Sequence, residues 1–360
     1  MKPISFYIFL AIVVLDVSGC FAQEGNWEII KTKNDAIPRS EGGLAVSEGK
    51  LYMIGGDGSL LVEVLDPQTL VWSKKSSAPI AMNHFQATSY NHKIYVLEAF
   101  SEGGFPNQIP MSHVYIYDTD KDVWKKGAVI PSERRRAGAG AAEYHGKMYL
   151  VAGIQHGHSS GTTNMFDMYD PQTDSWISLQ DAPHIRDHCS ATVIKDKLYV
   201  VGGRNTSYHE SNNFMAFFSK TVLEVDCYDF KTGKWTTLDS KLPLGSGGGA
   251  VVNLNNKLYY IGGERATDSL PNAPRKNTYY LDPSTKDQWT ETDSLNKARN
   301  GMAAVVWNNS IYVAGGAGGG PGGPPPGNNP NGLPLPPGGS AMNSQQAGPA
   351  SLEIFILKNK

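Results

Sequence analysis

Short apolar runs recur along this chain, and most of them end in two small residues. They form one repeat that returns about every 50 residues. The complete copies are Leu51–Gly56, Met148–Gly153, Leu198–Gly203, Leu258–Gly263 and Ile311–Gly316. In a further copy, Ile94–Ala99, both glycine positions are changed, to Glu98 and Ala99. Apolar runs of this length, bounded by glycine, are typical of buried β-strands.

The residues around each run repeat as well. A shorter apolar stretch precedes the run, and a pair of turn-forming residues joins the two: Glu48-Gly49, Asn91-His92, His145-Gly146, Lys195-Asp196, Asn255-Asn256 and Asn308-Asn309. Gly, Asn and Asp tolerate the positive φ of two-residue hairpins, so each pair predicts two antiparallel strands. A third stretch ends in aspartate and is followed by a tryptophan, at Trp72, Trp124, Trp176, Trp235 and Trp289. Each copy therefore predicts a sheet of four antiparallel strands.

Six such sheets predict an all-β fold, a six-bladed β-propeller. The tryptophans complete five blades, and the sixth requires a fourth strand from elsewhere. The segment that begins at Trp27 supplies it by pairing with Leu352–Leu357, so the N-terminal strand closes the ring. Closure removes two exposed sheet edges, which would otherwise favour aggregation. We expect the tryptophans and tyrosines to fill the space between blades rather than to contact a ligand.

These motifs resemble the kelch-repeat family. The shared features are the double glycine after an apolar strand, the Tyr-Asp step of the third strand and the spaced tryptophan. They recur in register from Trp27 to Leu357. The resemblance implies a kelch β-propeller over nearly the whole chain after residue 22.

Two segments lie outside the repeat. Residues 1–22 carry Lys2, the apolar stretch Ile4–Leu15 and a small residue at Ala22, which is the pattern of a signal peptide. The propeller would then occupy residues 23–360 of a secreted, extracellular protein. A competing interpretation takes Val17–Cys20 as a bacterial lipobox, with Cys20 lipidated. Residues 317–350, rich in Pro and Gly, interrupt blade 6 between its second and third strands and predict a flexible surface loop.

Composition narrows the partners and the chemistry. The formal net charge is −2, with 32 basic and 34 acidic residues, so nothing attracts the whole molecule to nucleic acid or to an anionic membrane. Cys189 and Cys227 fall on the first and third strands of blade 4, too far apart to pair, and we expect free buried thiols. Two sequons make Asn205 and Asn308 candidate glycosylation sites.

The predicted topology places the long loops on one face. Loops that follow the double glycines emerge on the same side as the links between blades, and binding residues concentrate on such loops. Arginines just before the first strands reach this side. We take Arg134, Arg135, Arg136, Arg186 and Arg299 as candidate ligand-binding residues, because guanidinium groups suit carboxylates, sulfates, phosphates and sugar hydroxyls. For a single arginine the alternative is a structural bond to backbone or to a neighbouring blade.

Three histidines complete the candidate set. His156 and His158 follow the apolar strand of blade 3, and His188 precedes the first strand of blade 4, next to Asp187. Imidazoles bind zinc and copper, but two alternate histidines without a third ligand make an incomplete site. We therefore predict no metal and no cofactor. Asp187 either orients His188 as a general base or caps its own loop.

The chain also resembles secreted kelch proteins described as galactose-oxidase-like. The stretches that carry this resemblance are residues 131–136, 153–158 and 186–188. It implies the propeller shape but not the copper oxidase activity. Such an oxidase needs a cysteine cross-linked to tyrosine, a second tyrosine and two histidines around one metal, and neither cysteine lies on a loop beside such a group.

Binding is the function that these features favour over catalysis, because no catalytic set is complete. We expect a secreted binding protein that recognises a carbohydrate, a glycoprotein or a component of the extracellular matrix through the long-loop side. One alternative is a sugar-acting enzyme, an epimerase, mutarotase or metal-dependent oxidase, at the same place. Another is a structural protein of the extracellular matrix. The expected partner is an extracellular protein or glycan, with no nucleic acid and no membrane span.

Overall fold

The structure, a computed structural model, describes residues 25–268, 272–285, 287–317 and 351–358. Six antiparallel sheets of four strands each account for most of these residues. The first strands of neighbouring sheets contact one another in a closed cycle, which arranges the sheets as blades around a central channel. The predicted six-bladed propeller is confirmed. The proposed signal peptide, residues 1–22, lies outside the described residues.

Each blade has four strands, counted from the channel outward. The first strands are Gly43–Ser47, Thr88–Tyr90, Gly140–Tyr144, Ser190–Ile194, Ala250–Leu254 and Asn300–Trp307. The second strands are Lys50–Ile54, Lys93–Val96, Lys147–Val151, Lys197–Val201, Lys257–Ile261 and Ser310–Ala317. The third strands are Val62–Asp66, His113–Asp118, Phe166–Asp170, Asp226–Asp229, Thr278–Leu281 and Leu352–Leu357. The fourth strands are Val71–Lys75, Val123–Val129, Ser175–Ser178, Lys234–Thr237, Thr290–Glu291 and Gly25–Ile30.

Blade 6 combines both ends of the described chain, as predicted. Gly25–Ile30 pairs antiparallel with Leu352–Leu357, in a register that places Trp27 opposite Phe355. Leu352–Leu357 pairs in turn with Ser310–Ala317. The Pro/Gly-rich segment therefore connects two adjacent strands of one blade, and its residues from 318 to 350 lie outside the described residues.

Three short hairpins and two 3-10 helices stand outside the blades. The hairpins pair Phe100–Glu102 with Ile109–Pro110, Ile154–His156 with Ser160–Thr162, and Glu264–Arg265 with Ala273–Pro274. The 3-10 helices are Ser132–Arg134 and Phe214–Ser219. All three hairpins follow second strands, so they lie on the side where those strands end. We call this side, formed by the three hairpins and Phe214–Ser219, the loop face, and the opposite side the turn face.

The aromatic residues take the packing role predicted for them. Trp124, Trp176 and Trp235 lie 5.1–5.2 Å from the ring of a tyrosine on the adjoining third strand. Trp72 and Trp289 are buried among apolar side chains of two different blades.

Both cysteines are free and buried, as predicted, and burial raises the pKa of the Cys189 thiol to about 12. Among the described residues, no helix has the length and apolar character to cross a membrane.

Glu98, which replaces a repeat glycine, is a buried acid in blade 2. It is 1% exposed, and neither carboxylate oxygen makes a hydrogen bond of normal geometry. Burial raises the pKa of Glu98 well above its usual value, and the Arg136 charge only partly opposes this. The carboxyl therefore keeps its proton in the folded state at a pH where the unfolded chain ionises. Stability is lost as the pH rises above the ordinary carboxyl pKa.

Substitution Glu98→Gln is expected to stabilise the protein at pH 7.5 and to have little effect at pH 4. The gain at pH 7.5 should be about 1.4 kcal/mol for each pH unit over which the folded state keeps the carboxyl protonated while the unfolded chain ionises. At pH 4 the wild-type carboxyl is largely protonated in both states, so the difference vanishes. Chemical denaturation of both proteins at the two pH values measures this. A difference that is the same at both values would contradict the assignment.

Candidate functional site

The loops of the loop face pack against one another and cover the channel. The backbone N–H of His158 in the blade 3 hairpin donates to the carbonyl oxygen of Pro106 in blade 2, at 2.8 Å. The hydroxyl group of Ser207 in blade 4 contacts the backbone nitrogen of Thr162 at 2.8 Å. The N–H of Ala266 in blade 5 donates to Phe218 at 3.0 Å. This cover is therefore a connected layer rather than a set of separate loops.

The arginines selected from the sequence serve the blades instead of this surface. Arg136 is 2% exposed and lies 2.8 Å from Asp167, while Arg186 and Arg299, both 0% exposed, pair with Asp226 and Glu353. Arg39 pairs with Glu63 in the same manner. For Arg136, Arg186 and Arg299 the alternative of a structural bond therefore applies, because their guanidinium groups point into the blade interior.

Arg134 and Arg135 also bond within blade 3. Arg134 lies 2.9 Å from Asp167, and the Nε of Arg135 donates to the carbonyl oxygen of Ile130 at 3.1 Å. Of the expected arginine patch, Arg134 and Arg135 are half-buried and stay predicted ligand-binding candidates. The sequence signal that was overlooked is the acid at the start of the third strand, which recurs as Glu63, Asp167, Asp226 and Glu353.

Two of the three predicted histidines meet at the channel, and they are joined by one that the sequence analysis missed. His158 and His188 lie with His84, and the three ring centroids are 5.0–5.1 Å apart in pairs. Each offers a ring nitrogen, and the three nitrogens lie within 4.8 Å of one another. We call these residues the histidine cluster. His156 is exposed and does not join it.

His84 and His188 occupy equivalent positions ahead of a first strand. His188 lies two residues before Ser190–Ile194, and His84 lies four residues before Thr88–Tyr90. Six such positions surround the mouth of the channel, one per blade, all with φ between 50° and 64°: Glu41, His84, Gly138, His188, Gly248 and Gly301. Backbone N–H groups donate at 2.7–2.8 Å from Glu41 to Gly301, from Gly301 to Gly248, from Gly248 to His188, from Gly138 to His84 and from His84 to Glu41. We call this arrangement the mouth ring. An alignment of the copies at this position would have revealed His84, because Asn83-His84 and Asp187-His188 correspond.

The same nitrogen is held in each imidazole. The Nδ1 atom lies 2.6 Å from Asn83 Oδ1 in His84, 3.1 Å from Gln108 Oε1 in His158 and 2.6 Å from Asp187 Oδ1 in His188. An oxygen that only accepts, or that is oriented to accept, places the proton on Nδ1. Nε2 is then the nitrogen that keeps a free lone pair.

Asp187 is itself fixed by a set of hydrogen bonds. Its Oδ2 accepts from Thr162 Oγ1 at 2.6 Å and from the Thr206 backbone at 2.9 Å. The Thr206 hydroxyl donates to its Oδ1 and accepts from Arg204 Nε at 3.0 Å. The carboxylate thus orients His188, and its other hydrogen bonds run to Thr162 and Thr206 rather than to the backbone of its own loop.

Burial governs the charge state of the cluster. It lowers the pKa of His84 to about 4 and the pKa values of His158 and His188 well below the usual range, with Arg204 adding to both effects. The imidazoles are therefore neutral at physiological pH. Burial also raises the pKa of Glu41 to about 7, and its Oε1 is 3.9 Å from His84 Nε2. A neutral histidine trio beside a readily protonated carboxyl can hold a metal or exchange a proton.

The cluster lies between the channel and the loop face. A cavity of about 310 Å³ reaches Glu41, His84 and His188 and extends along the first strands toward Asn253. On the other side, the rings of Phe105 and Phe217 lie 5.1 and 6.3 Å from the His158 ring. Phe105 and Phe217, which belong to the loop face, thus cover the outer side of the cluster, while the channel leads to its other side.

A second concavity lies on the outside of the loop face. It encloses about 440 Å³ between the hairpins of blades 2 and 3 and is lined by Asn107, Gln108, Ile109, Pro110, Gln155, His156, Ser159 and Ser160. We call it the loop-face groove. It contains the predicted candidate His156. The two sequons lie elsewhere: Asn308 is exposed in a turn of blade 6, and Asn205 is half-buried near the loop face.

Comparisons with known proteins agree with this architecture. The sequence matches the family model described as the KLHDC2/KLHL20/DRC7 Kelch-repeats domain over residues 12–203 and 87–316. The solved "Structure of YjhT" superposes with a TM-score of 0.68, covering 81% of this chain and 94% of that one, at 16% identity, which shows the fold alone.

This chain covers different shares of the length of two similar proteins. Kelch-like protein terF of Aspergillus terreus is 26% identical over 331 residues, which are 84% of this chain and 69% of the relative. Human Kelch-like protein 23 is 27% identical over 276 residues, 75% of this chain but only 44% of the relative. The repeats, the six blades and the family match over residues 12–316 lead to one conclusion: this chain belongs to the kelch-repeat family.

Proposed function

We propose that the chain is a secreted binding protein that recognises a glycoprotein partner through the loop-face groove. The observation that carries this proposal is the chemistry of the groove lining. It presents three amides, two hydroxyl groups and the exposed His156 around the aliphatic surface of Ile109, which is 54% exposed. Uncharged donors and acceptors beside an aliphatic patch suit a sugar, whose hydroxyl groups need hydrogen bonds and whose C–H face needs apolar contact.

The scaffold supports a binding role. Loops held by a rigid framework are where recognition residues concentrate, and here the hairpins are tied together by backbone hydrogen bonds. A preformed surface loses little conformational entropy on binding. Membership of the kelch family supports a partner that includes protein, because a kelch propeller offers an extended face with many loops.

Secretion is part of the proposal and rests on the sequence of residues 1–22. We expect secreted protein to begin after Ala22, which N-terminal sequencing of the protein from the medium determines. Retention of the segment, or lipid on Cys20, would contradict it.

A double substitution in the groove tests the binding site. Gln155→Ala with His156→Ala is expected to weaken glycoprotein or glycan binding about tenfold or more, since each lost hydrogen bond contributes about 0.5–1.5 kcal/mol. The matched control is Gln68→Ala with His92→Ala, two exposed residues of the same types on the turn face. Binding is measured on a glycan array and against immobilised glycoproteins of the medium. Equal binding by wild type and groove variant would reject the groove as the site.

A further inference from the structure

We infer that His84, His158 and His188 bind a divalent transition-metal ion of the zinc and copper class at the mouth of the channel. This inference goes beyond the proposed binding function and concerns the mouth of the channel rather than the loop-face groove. The cluster lies beneath Phe105 and Phe217, and Gln108 contacts both places. It also replaces the expectation of no metal. The sequence offered only two ligands on one loop, and the fold adds ligands from two other blades.

The orientation of the rings is the first argument. In all three histidines an oxygen acceptor holds Nδ1, so the Nε2 atoms remain as potential ligands. Histidine ligands of metals almost always donate their other N–H to a carboxylate or carbonyl oxygen, which fixes the tautomer and the ring plane. The trio reproduces this arrangement three times, once through Asp187 with its own fixed hydrogen bonds.

The second argument is an unsatisfied atom. His188 is 5% exposed, and its Nε2 is buried with no hydrogen-bond partner among the described residues. Leaving a buried acceptor unsatisfied costs free energy, and native structures rarely do so without a reason. A metal ion at the centre of the trio would coordinate this nitrogen.

Backbone strain gives the third argument. His84 and His188 stand in the mouth ring with φ of 59° and 50°, where Gly138, Gly248 and Gly301 show the residue that such a conformation prefers. A non-glycine residue in this region is disfavoured, and strained residues of this kind concentrate at functional sites. These two histidines therefore occupy positions where three other blades have glycine, which is consistent with a role for their side chains.

Charge around the cluster also suits a cation. Asp57, Asp187 and Glu264 act electrostatically on His84, and Asp187 also acts on His158, whereas Arg204 is the cation that acts on all three histidines. Arg204 is neutralised by Glu264, at 2.6 Å. A dication at the centre of the trio is attracted by the remaining acids.

The site would be open rather than closed. Three histidines leave a fourth position of a tetrahedron free, which is the arrangement of catalytic zinc sites rather than structural ones. The cavity of about 310 Å³ reaches His84 and His188 and Glu41 lines its mouth, so a small ligand or water has room there.

Metal analysis of the purified full-length protein is the first test. We expect about one equivalent of zinc or copper, as a three-histidine site with one open position holds a single ion. Protein stripped with a chelator should regain one equivalent from Zn²⁺ or Cu²⁺ alone. The Cu²⁺ form should show coordination by three imidazole nitrogens in its electron paramagnetic resonance spectrum. Failure of the stripped protein to bind Zn²⁺, Cu²⁺, Co²⁺ or Ni²⁺ in excess would overturn the inference.

Substitutions to glycine keep the fold testable. His84→Gly and His188→Gly install the residue that three other blades carry at the same φ, so the mouth ring should persist, as circular dichroism and thermal melting would verify. Each should weaken metal affinity by more than about 100-fold, beyond the usual effect of an outer-shell change. His92→Gly, at an exposed histidine of the turn face that also has positive φ, should retain wild-type affinity. Undiminished affinity in folded His84→Gly or His188→Gly would overturn the site, and none of these results depends on glycan binding by the groove.

Discussion

Replacing Trp27 with alanine is expected to lower the free energy of unfolding by about 3–5 kcal/mol, the range for a large aromatic side chain lost from a core. Trp27 is 5% exposed and lies on the strand that closes the ring. Its ring centroid is 5.3 Å from that of Phe355 in its own blade, and its Nε1 donates to Thr278 Oγ1 of blade 5 at 3.0 Å. The substitution therefore weakens both the closing pair of strands and the contact between two blades.

The control for this prediction lies two residues away on the same strand. Ile29 is 48% exposed, so Ile29→Ala should change stability by no more than about 0.5 kcal/mol. Chemical denaturation of the three proteins, followed by circular dichroism, compares them. If Trp27→Ala were no more destabilising than Ile29→Ala, the closing strand would not hold the propeller together.

Replacing Asp226 with alanine is expected to cost about 3–5 kcal/mol, because it leaves a buried guanidinium without its counter-charge. Asp226 and Arg186 are both fully buried, and their closest atoms are 2.7 Å apart. Asp226 also accepts hydrogen bonds from Thr237 Oγ1 at 2.9 Å and, through the same oxygen, from His184. Arg186 was selected from the sequence as a candidate ligand residue. In the structure it forms a buried ion pair with Asp226.

Two further proteins separate the pair from simple charge loss. Arg186→Met with Asp226→Leu removes both charges and should be less destabilising than Asp226→Ala alone, since no uncompensated charge is buried. Lys241→Ala breaks the exposed pair with Glu224 and should cost less than about 1 kcal/mol. The prediction fails if Asp226→Ala resembles Lys241→Ala in urea denaturation.

The blades were predictable because their signals are local. An apolar run, a turn pair that tolerates positive φ and a spaced tryptophan each act within a few residues of one another. The structure places Asn255 and Asn256 at φ of 53° and 62°, as the hairpin prediction requires. Closure by the segment at Trp27 was also predictable, because one blade lacked a fourth strand.

The site was predictable only in part, because its histidines belong to different blades and come together only at the channel. His84, His158 and His188 come from blades 2, 3 and 4, and only the closed ring sets their distances. The apolar pattern also does not predict the direction of a side chain on a residue with positive φ. The ion pairs of the arginines were not predicted for a related reason: their partners, such as Asp226, are distant in the sequence.

The mouth ring has a consequence for how such propellers diversify. Its hydrogen bonds involve only backbone atoms, so the aperture of the channel does not depend on which side chains the six positions carry. Asparagine tolerates the φ of Gly138 or Gly248, but its Cβ would lie 3.2 Å from a backbone nitrogen of the ring, which must then shift by a few tenths of an ångström. Ligand sets of different composition could thus evolve, or be engineered, with small adjustments of one frame.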